Sequence, residues 1–154
     1  MAYQDDIKKA AALLLPWNKL SGCNILVTGA TGLIGGCLVD VLMAHKGRNY
    51  NVYASGRNEE RAGRRFLKYA DDNAFHFVKY DVAQPLEYDV NFQYIIHAAS
   101  GAYPEEFIKH PVEVIKGNIN GLDNLMGYGI QHGIKRLLYI SSGEVYGEGD
   151  GRRS

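Results

Sequence analysis

The chain has 154 residues, 46% of them apolar, with 17 Lys plus Arg balanced by 17 Asp plus Glu. That length carries about one core, and a net charge of zero supplies no global field for nucleic acid or an anionic membrane, so neither is expected as a partner. The longest N-terminal apolar run, Ala10 to Leu15, follows Asp5, Asp6, Lys8 and Lys9 and stops at Pro16; it is too short to span a bilayer and unlike a signal peptide, so a cytoplasmic protein is expected.

Residues 1–21 read as a helical extension, with an amphipathic helix over 4–15 that places Ile7, Ala11, Leu14 and Leu15 on one side as a peripheral cap. Residues 22–154 read as one dinucleotide-binding domain. Its first strand, Ile25-Leu26-Val27, runs into Gly29-Ala30-Thr31-Gly32-Leu33-Ile34-Gly35, after which Leu38, Val41, Leu42 and His45 recur at helical spacing. Glycines at a strand-to-helix junction let a pyrophosphate meet unpaired N–H groups and the positive end of the helix dipole. Gly29 permits the tight turn, Gly32 keeps a Cβ out of the way of the phosphates, and Gly35 lets the helix pack closely on the strand. Cys23 and Cys37, on either side of this turn, read as small buried residues, and no metal site is expected.

Further strands are expected at Asn51–Ala54, Phe75–Val78, Tyr94–Ile96 and Leu137–Ile140, separated by a basic helix containing Arg61, Arg64, Arg65, Phe66 and Leu67 and by a long helix from about Glu105 to His132, interrupted near Pro111. Strands alternating with helices imply an α/β fold, a Rossmann-type doubly wound parallel sheet of about five strands in the order 3-2-1-4-5.

Ligands of such sheets bind beyond the carboxyl ends of the strands. The second strand ends at Ser55-Gly56-Arg57, where an acidic residue would bind the ribose hydroxyls of NAD; Arg57 suits a ribose 2′-phosphate instead, and Arg61, Arg64 or Arg65 can add charge, so NADP is favoured over NAD. A solvated basic helix start that accepts either cofactor is the alternative. Asp81, after the third strand, can accept from an adenine amino group while the Val82 amide donates back; taken alone, without the other strand ends, it reads as a capping or turn residue. Ala98 and Ala99 leave room for the middle of a cofactor, and His97 beside them reads as a structural histidine rather than a base or metal ligand.

With Thr28-Gly29-Ala30-Thr31-Gly32-Leu33-Ile34-Gly35, Asp81-Val82, His97-Ala98-Ala99-Ser100, Asn118-Ile119-Asn120-Gly121 and Ser141-Ser142-Gly143-Glu144-Val145-Tyr146-Gly147, residues 24 to about 149 resemble the amino-terminal part of an extended short-chain dehydrogenase/reductase of the NAD(P)-dependent nucleotide-sugar epimerase/dehydratase family. The resemblance implies cofactor contacts from Gly29, Thr31, Gly32, Leu33, Ile34, Gly35, Arg57, Asp81, Val82, Ala98, Ala99, Ser100 and Asn118. It implies that Ser142 hydrogen-bonds the sugar hydroxyl or ketone, and that Asn118 supports the active-site backbone. Glu144 is a base beside the sugar or a solvated loop carboxylate; Gly143 stands where 4,6-dehydratases carry an aspartate. The family's Tyr-x-x-x-Lys pair does not occur in these residues, and the chain ends at Arg152-Arg153-Ser154 before the pair would be reached. The expectation is a cofactor-binding part truncated before the substrate domain, with little turnover of its own, whose intact protein acts on a nucleotide sugar by epimerisation, dehydration or decarboxylation. A non-catalytic NAD(P)-binding or redox-sensing module is the alternative; a third reading is a scaffold fragment that binds nothing well and self-associates, as a homodimer or aggregate, through apolar residues on the long helix.

Overall fold

The computed structural model describes residues 2–100 and 108–142. Helix α1 spans Ala2–Ala11, and a 3-10 turn over Trp17–Leu20 leads into β1, Asn24–Thr28. Then follow α2 (Leu33–Ala44), β2 (Asn51–Gly56), α3 (Glu59–Phe66) with a 3-10 turn over Leu67–Tyr69, β3 (Phe75–Lys79), β4 (Tyr94–His97), α4 (Pro111–His132) and β5 (Arg136–Tyr139). The five strands form one parallel sheet in the order β3-β2-β1-β4-β5, as expected.

β1 sits in the middle, so both of its faces are covered and its residues are apolar without alternation. Ile25 and Val27 pack with Val39, Leu42, Met43, Val52 and Phe66 beneath α2 and α3. Leu26 points the other way, into Tyr53, Val78, Phe92, Ile95, Leu125 and Tyr128 beneath α4. The buried stripe of α2 runs through Gly35, Gly36, Val39, Asp40, Leu42 and Met43. Leu38 and Val41, expected on that stripe, are half-buried at its margin.

α1 ends earlier than expected. Ile7 and Ala11 are buried against the body of the protein, but Leu14 and Leu15 are exposed. The helix stops at Ala11, and Pro16 disfavours helical backbone at the residue before it, so the leucines leave the helical face before they can be used. α4 begins at Pro111, which occupies its first turn, where a missing N–H costs nothing. It ends at Gly133, whose left-handed φ of 66° is one a Cβ would oppose.

α1, α2 and α3 are held by one buried carboxylate. Asp40 of α2 is fully buried and accepts from Arg65 (2.6 Å), Lys68 (2.9 Å), Tyr3 (2.7 Å) and Tyr69 (2.9 Å). Burial pushes its pKa up, but the bonds from Arg65, Tyr3, Lys68 and Tyr69 outweigh burial and hold it at about 2, against 3.8 for an unperturbed aspartate. Because the folded value is depressed, this stabilisation is complete above about pH 4 and is lost as pH falls through about 2, an effect of about 2 kcal/mol. Urea unfolding midpoints should therefore drop between about pH 4 and about pH 2. Asp40→Asn should lower stability at neutral pH by about 2–4 kcal/mol and remove that part of the acid dependence.

Candidate functional site

All five strands end at the same pole, and the glycine turn between β1 and α2 occupies its centre. Gly29 adopts φ 66°, and a Cβ there would lie 2.6 Å from the Ala98 carbonyl oxygen at the end of β4. A Cβ on Gly35 would lie 2.4 Å from the Gly29 carbonyl oxygen. These two glycines are thus required by backbone contact inside the protein. Gly32 differs: it is exposed, in extended backbone that any residue adopts, and a Cβ on it would meet only the Gly29 carbonyl, at 3.2 Å. The turn is tied to β2 by the Ala30 N–H, which donates to the Ser55 carbonyl at 3.0 Å, and is closed by the Gly32 N–H on the Gly29 carbonyl at 2.9 Å.

Gly32 caps α2 without a side-chain bond, and the first helical bond of this end runs from the Gly36 N–H to the Gly32 carbonyl at 3.0 Å. The N–H groups of Leu33, Ile34 and Gly35 come before it and have no partner within the helix. Leu33 and Ile34 are exposed, and Thr31 lies against Gly56 at the end of β2, its side chain 3.5 Å from where a Gly56 Cβ would stand. A concave turn kept free of side chains, over unpaired helix N–H groups, fits a pyrophosphate.

The other strand ends close around it. At β2, Arg57 is exposed and carries no ion pair among the described residues, while Arg64 pairs with Glu60 and Lys79 with Glu59. Arg65, expected to be available to a 2′-phosphate, is instead held by Asp40 and by the Gly36 carbonyl. An uncompensated carboxylate on α2 would be far costlier than a vacated surface site, so Asp40 takes the cation. At β3, the Tyr80 N–H bonds the Gly56 carbonyl, and Asp81 forms a turn in which Oδ1 accepts from the Ala83 N–H at 3.1 Å. One carboxylate oxygen of Asp81 therefore has a local task. Val82 is half-buried, and its carbonyl accepts from Asn124 Nδ2 at 2.9 Å.

At β4, the Ala98 N–H donates to the Thr28 carbonyl, Ala98 and Ala99 are half-buried, and the Ser100 hydroxyl donates to Asn118 Oδ1 at 3.1 Å, joining the strand end to α4. At β5, the Ile140 N–H bonds the His97 carbonyl, which brings the exposed Ser142 to the same pole. Glu144, with Gly143 and Val145-Tyr146-Gly147, lies outside the described residues.

His97 has a larger part than its sequence context indicates. It is fully buried, shares a 2.7 Å hydrogen bond through Nδ1 with Thr28 Oγ1, its register partner on β1, and stacks on Tyr139 of β5. Burial pushes its pKa down, which keeps the ring neutral. His97 Nε2 and Ser55 Oγ are the buried side-chain polar atoms without a hydrogen-bond partner among the described residues, and both belong to strand ends around the glycine turn. The signal available in sequence was position: Thr28 and His97 each immediately precede the small residues of their strand ends. Asn124 was also missed, although Asn118, Gly121 and Leu125 mark the neighbouring face of α4. Among the described residues no group of three or more His, Cys, Asp or Glu could hold a metal ion, and no helix is long and apolar enough to cross a membrane.

A model of the NAD dependent epimerase/dehydratase family matches residues 25–154. The chain belongs to that family. UDP-glucuronic acid decarboxylase 6 of Arabidopsis thaliana is 34% identical over 131 residues, 83% of this chain and 36% of that protein. UDP-glucuronic acid decarboxylase 1 of Danio rerio is 32% identical over 126 residues, 80% of this chain and 28% of the relative. The chain thus spans about a third of the length of these relatives. Among solved structures, a UDP-glucose-4-epimerase from Stenotrophomonas maltophila, with bound NAD and formylated UDP-arabinopyranose, superposes with a TM-score of 0.67 at 26% identity over 83% of this chain and 39% of the other. The UDP-Glc/GlcNAc 4-epimerase of Campylobacter jejuni matches in fold, with a TM-score of 0.68 at 21% identity over 84% of this chain and 40% of that one.

The differing environments of the glycines set distinct outcomes for substitution. Gly32→Leu should leave unfolding free energy within about 1 kcal/mol and reduce dinucleotide affinity roughly tenfold or more. Gly35→Ala should cost about 2–4 kcal/mol, because backbone must move. Calorimetric titration alongside thermal melts distinguishes the two.

Proposed function

We propose that this chain is the dinucleotide-binding part of an enzyme that oxidises a nucleotide sugar at a ring carbon and then lets it be decarboxylated, epimerised or dehydrated. The single observation that carries this is the convergence of the outward-facing Gly32, the unpaired α2 amides and the strand ends bearing Arg57, Asp81, Ala98 and Ser142 at one pole of a parallel sheet. The similarity to UDP-glucuronic acid decarboxylases supports a UDP-linked uronic acid as the substrate class.

The bound dinucleotide would supply hydride acceptance and return. The residues of this chain bind and orient: Gly29, Thr31, Gly32, Leu33, Ile34 and Gly35 around the pyrophosphate, Asp81 and Val82 at the adenine, Ala98, Ala99 and Ser100 beside the middle of the cofactor, and Asn118 behind Ser100. The Ser142 hydroxyl positions and polarises the sugar oxygen, and Glu144 serves as a base beside the sugar. The Tyr-x-x-x-Lys pair is not among these 154 residues, so the chain alone is proposed to bind cofactor with little turnover.

With Arg65 held by Asp40, the 2′-phosphate preference rests on Arg57 and Arg61. NADP should bind more tightly than NAD, and Arg57→Asp should lower the NADP-to-NAD affinity ratio roughly tenfold. A ratio unchanged by the substitution would remove Arg57 from the 2′-phosphate site, and tighter NAD than NADP binding by the unsubstituted chain would overturn the NADP reading. The same titration repeated with UDP-glucuronate tests the substrate half: no heterotropic effect on cofactor affinity would favour a non-catalytic binding module.

A homodimer is proposed through α4, where Val112, Ile115, Ile119, Met126 and Ile130 are exposed along one face. Light scattering should report a dimer that Ile119→Glu converts to monomer.

A further inference from the structure

The pole opposite the cofactor turn carries a second pattern. Because the strands are parallel, it gathers every strand's amino end. α1 delivers Leu13, Leu14 and Leu15 to this pole, and all three are exposed, Leu14 completely. They are not a loose tail. The Trp17 indole N–H donates to the Leu13 carbonyl at 3.0 Å, and the Trp17 ring stacks on His45 at the end of α2 with centroids 4.2 Å apart. An apolar tip of three leucines on a pinned turn exposes more apolar surface than scattered single residues do.

Around this tip the charge is basic. Lys19, Lys46, Lys135 and Arg136 are exposed, and none has an ion-pair partner among the described residues. Lys19 and Lys135 are brought together by Cys23 and Tyr94: the Cys23 thiol faces the Lys19 carbonyl, Tyr94 donates to that carbonyl, and Lys135 Nζ lies 3.6 Å from Cys23 Sγ. The acidic residues nearest this pole are offset or neutralised. Asp72 is paired with Arg48 at 2.6 Å, Asp71 lies ahead of β3 at the far edge of the sheet, and Asp89 lies on the α4 side near Tyr128. A recess of about 310 Å³ lined by Trp17, Asn18, Ser21, His45 and Asn49 opens beside the Trp17–His45 stack.

We propose that this pole is a docking surface for an anionic phospholipid bilayer. The leucines enter the acyl boundary, Trp17 sits at the interface, and the unpaired lysines and Arg136 meet lipid phosphates. Neither half suffices alone: three leucines bury too little for stable anchoring, and four cations hold a protein only by a salt-sensitive field. Docked this way, the glycine turn and the other strand carboxyl ends face the aqueous phase. The zero net charge of the chain is compatible with this, since the field that a membrane meets is local.

Trp17 is the only tryptophan, so its fluorescence reports the proposed contact directly. The 154-residue chain is mixed with phosphatidylcholine vesicles, with or without about a third phosphatidylglycerol. With the anionic vesicles the Trp17 emission should shift to the blue and the protein should sediment with them; with phosphatidylcholine alone, or at high salt, both effects should be lost. Leu14→Glu should reduce partitioning roughly tenfold or more, and Lys19→Gln and Lys135→Gln about fivefold each, with thermal midpoints unchanged for Leu14→Glu as the check on folding. Absence of a shift with every vesicle overturns the proposal, as does partitioning that Leu14→Glu leaves intact. Concentration-dependent self-association that Leu14→Glu abolishes, without vesicle binding, overturns it in favour of a second copy of this chain.

Discussion

The structure depends on one steric constraint: three pieces of backbone meet where no side chain fits. The Gly29 carbonyl occupies the position that a Cβ of Gly35 would need, and the Ala98 carbonyl occupies the one that a Cβ of Gly29 would need. These contacts bring the start of α2 onto β1 and the end of β4 against the turn. They also fix where the first amides of α2 point. With α2 that close, Val39, Leu42 and Met43 reach the β1–β2 core, and the opening at the carboxyl pole has a floor of main chain rather than side chains. Gly32 stands apart from that constraint, facing outward from the turn.

Around this junction polar groups do two different kinds of work. Thr28 and His97 join the ends of β1 and β4 inside the protein, and the stack of His97 on Tyr139 carries that link to β5. Asp40 does the equivalent on the outer face of α2, where it holds one helix from each side. Its effect on function is indirect. By engaging Arg65 and Lys68 it removes two cations from the surface beside β2, and leaves Arg57 and Arg61 exposed there without an ion pair among the described residues. A buried carboxylate with four donors is stable only when all are present, so the surface charge of α3 is governed by a residue on a different helix.

How much of this was legible in the sequence follows from the range of each signal. Ile25-Leu26-Val27 followed by three glycines and a helical pattern is a local arrangement, set by sterics between near neighbours, and the strand order follows from it together with strand–helix alternation. The turns that follow β3 and β4 were also legible, as small or polar residues after apolar runs. Arg65 was not: nothing in Arg61-Ala62-Gly63-Arg64-Arg65 distinguishes an arginine that will meet a buried aspartate 25 positions earlier from one that faces solvent. Leu14 and Leu15 were misplaced because the 3.6-residue period continues on paper past Ala11, whereas the backbone must leave the helix before Pro16.

The parallel α/β architecture, the position of the phosphate-type turn and the family were legible from the order and local spacing of motifs along the chain, from Thr28–Gly35 to Ser141–Gly147. It took the packed fold to show which charges are spent internally, which glycines are structural, that His97 is a buried link, and that leucines and basic residues from three separate segments share one pole. Most of those properties depend on contacts between residues far apart in the chain, among them Arg65 with Asp40, Gly29 with Ala98 and Lys135 with Cys23. Burial and pairing are set there by the packing of the sheet, which no local pattern encodes.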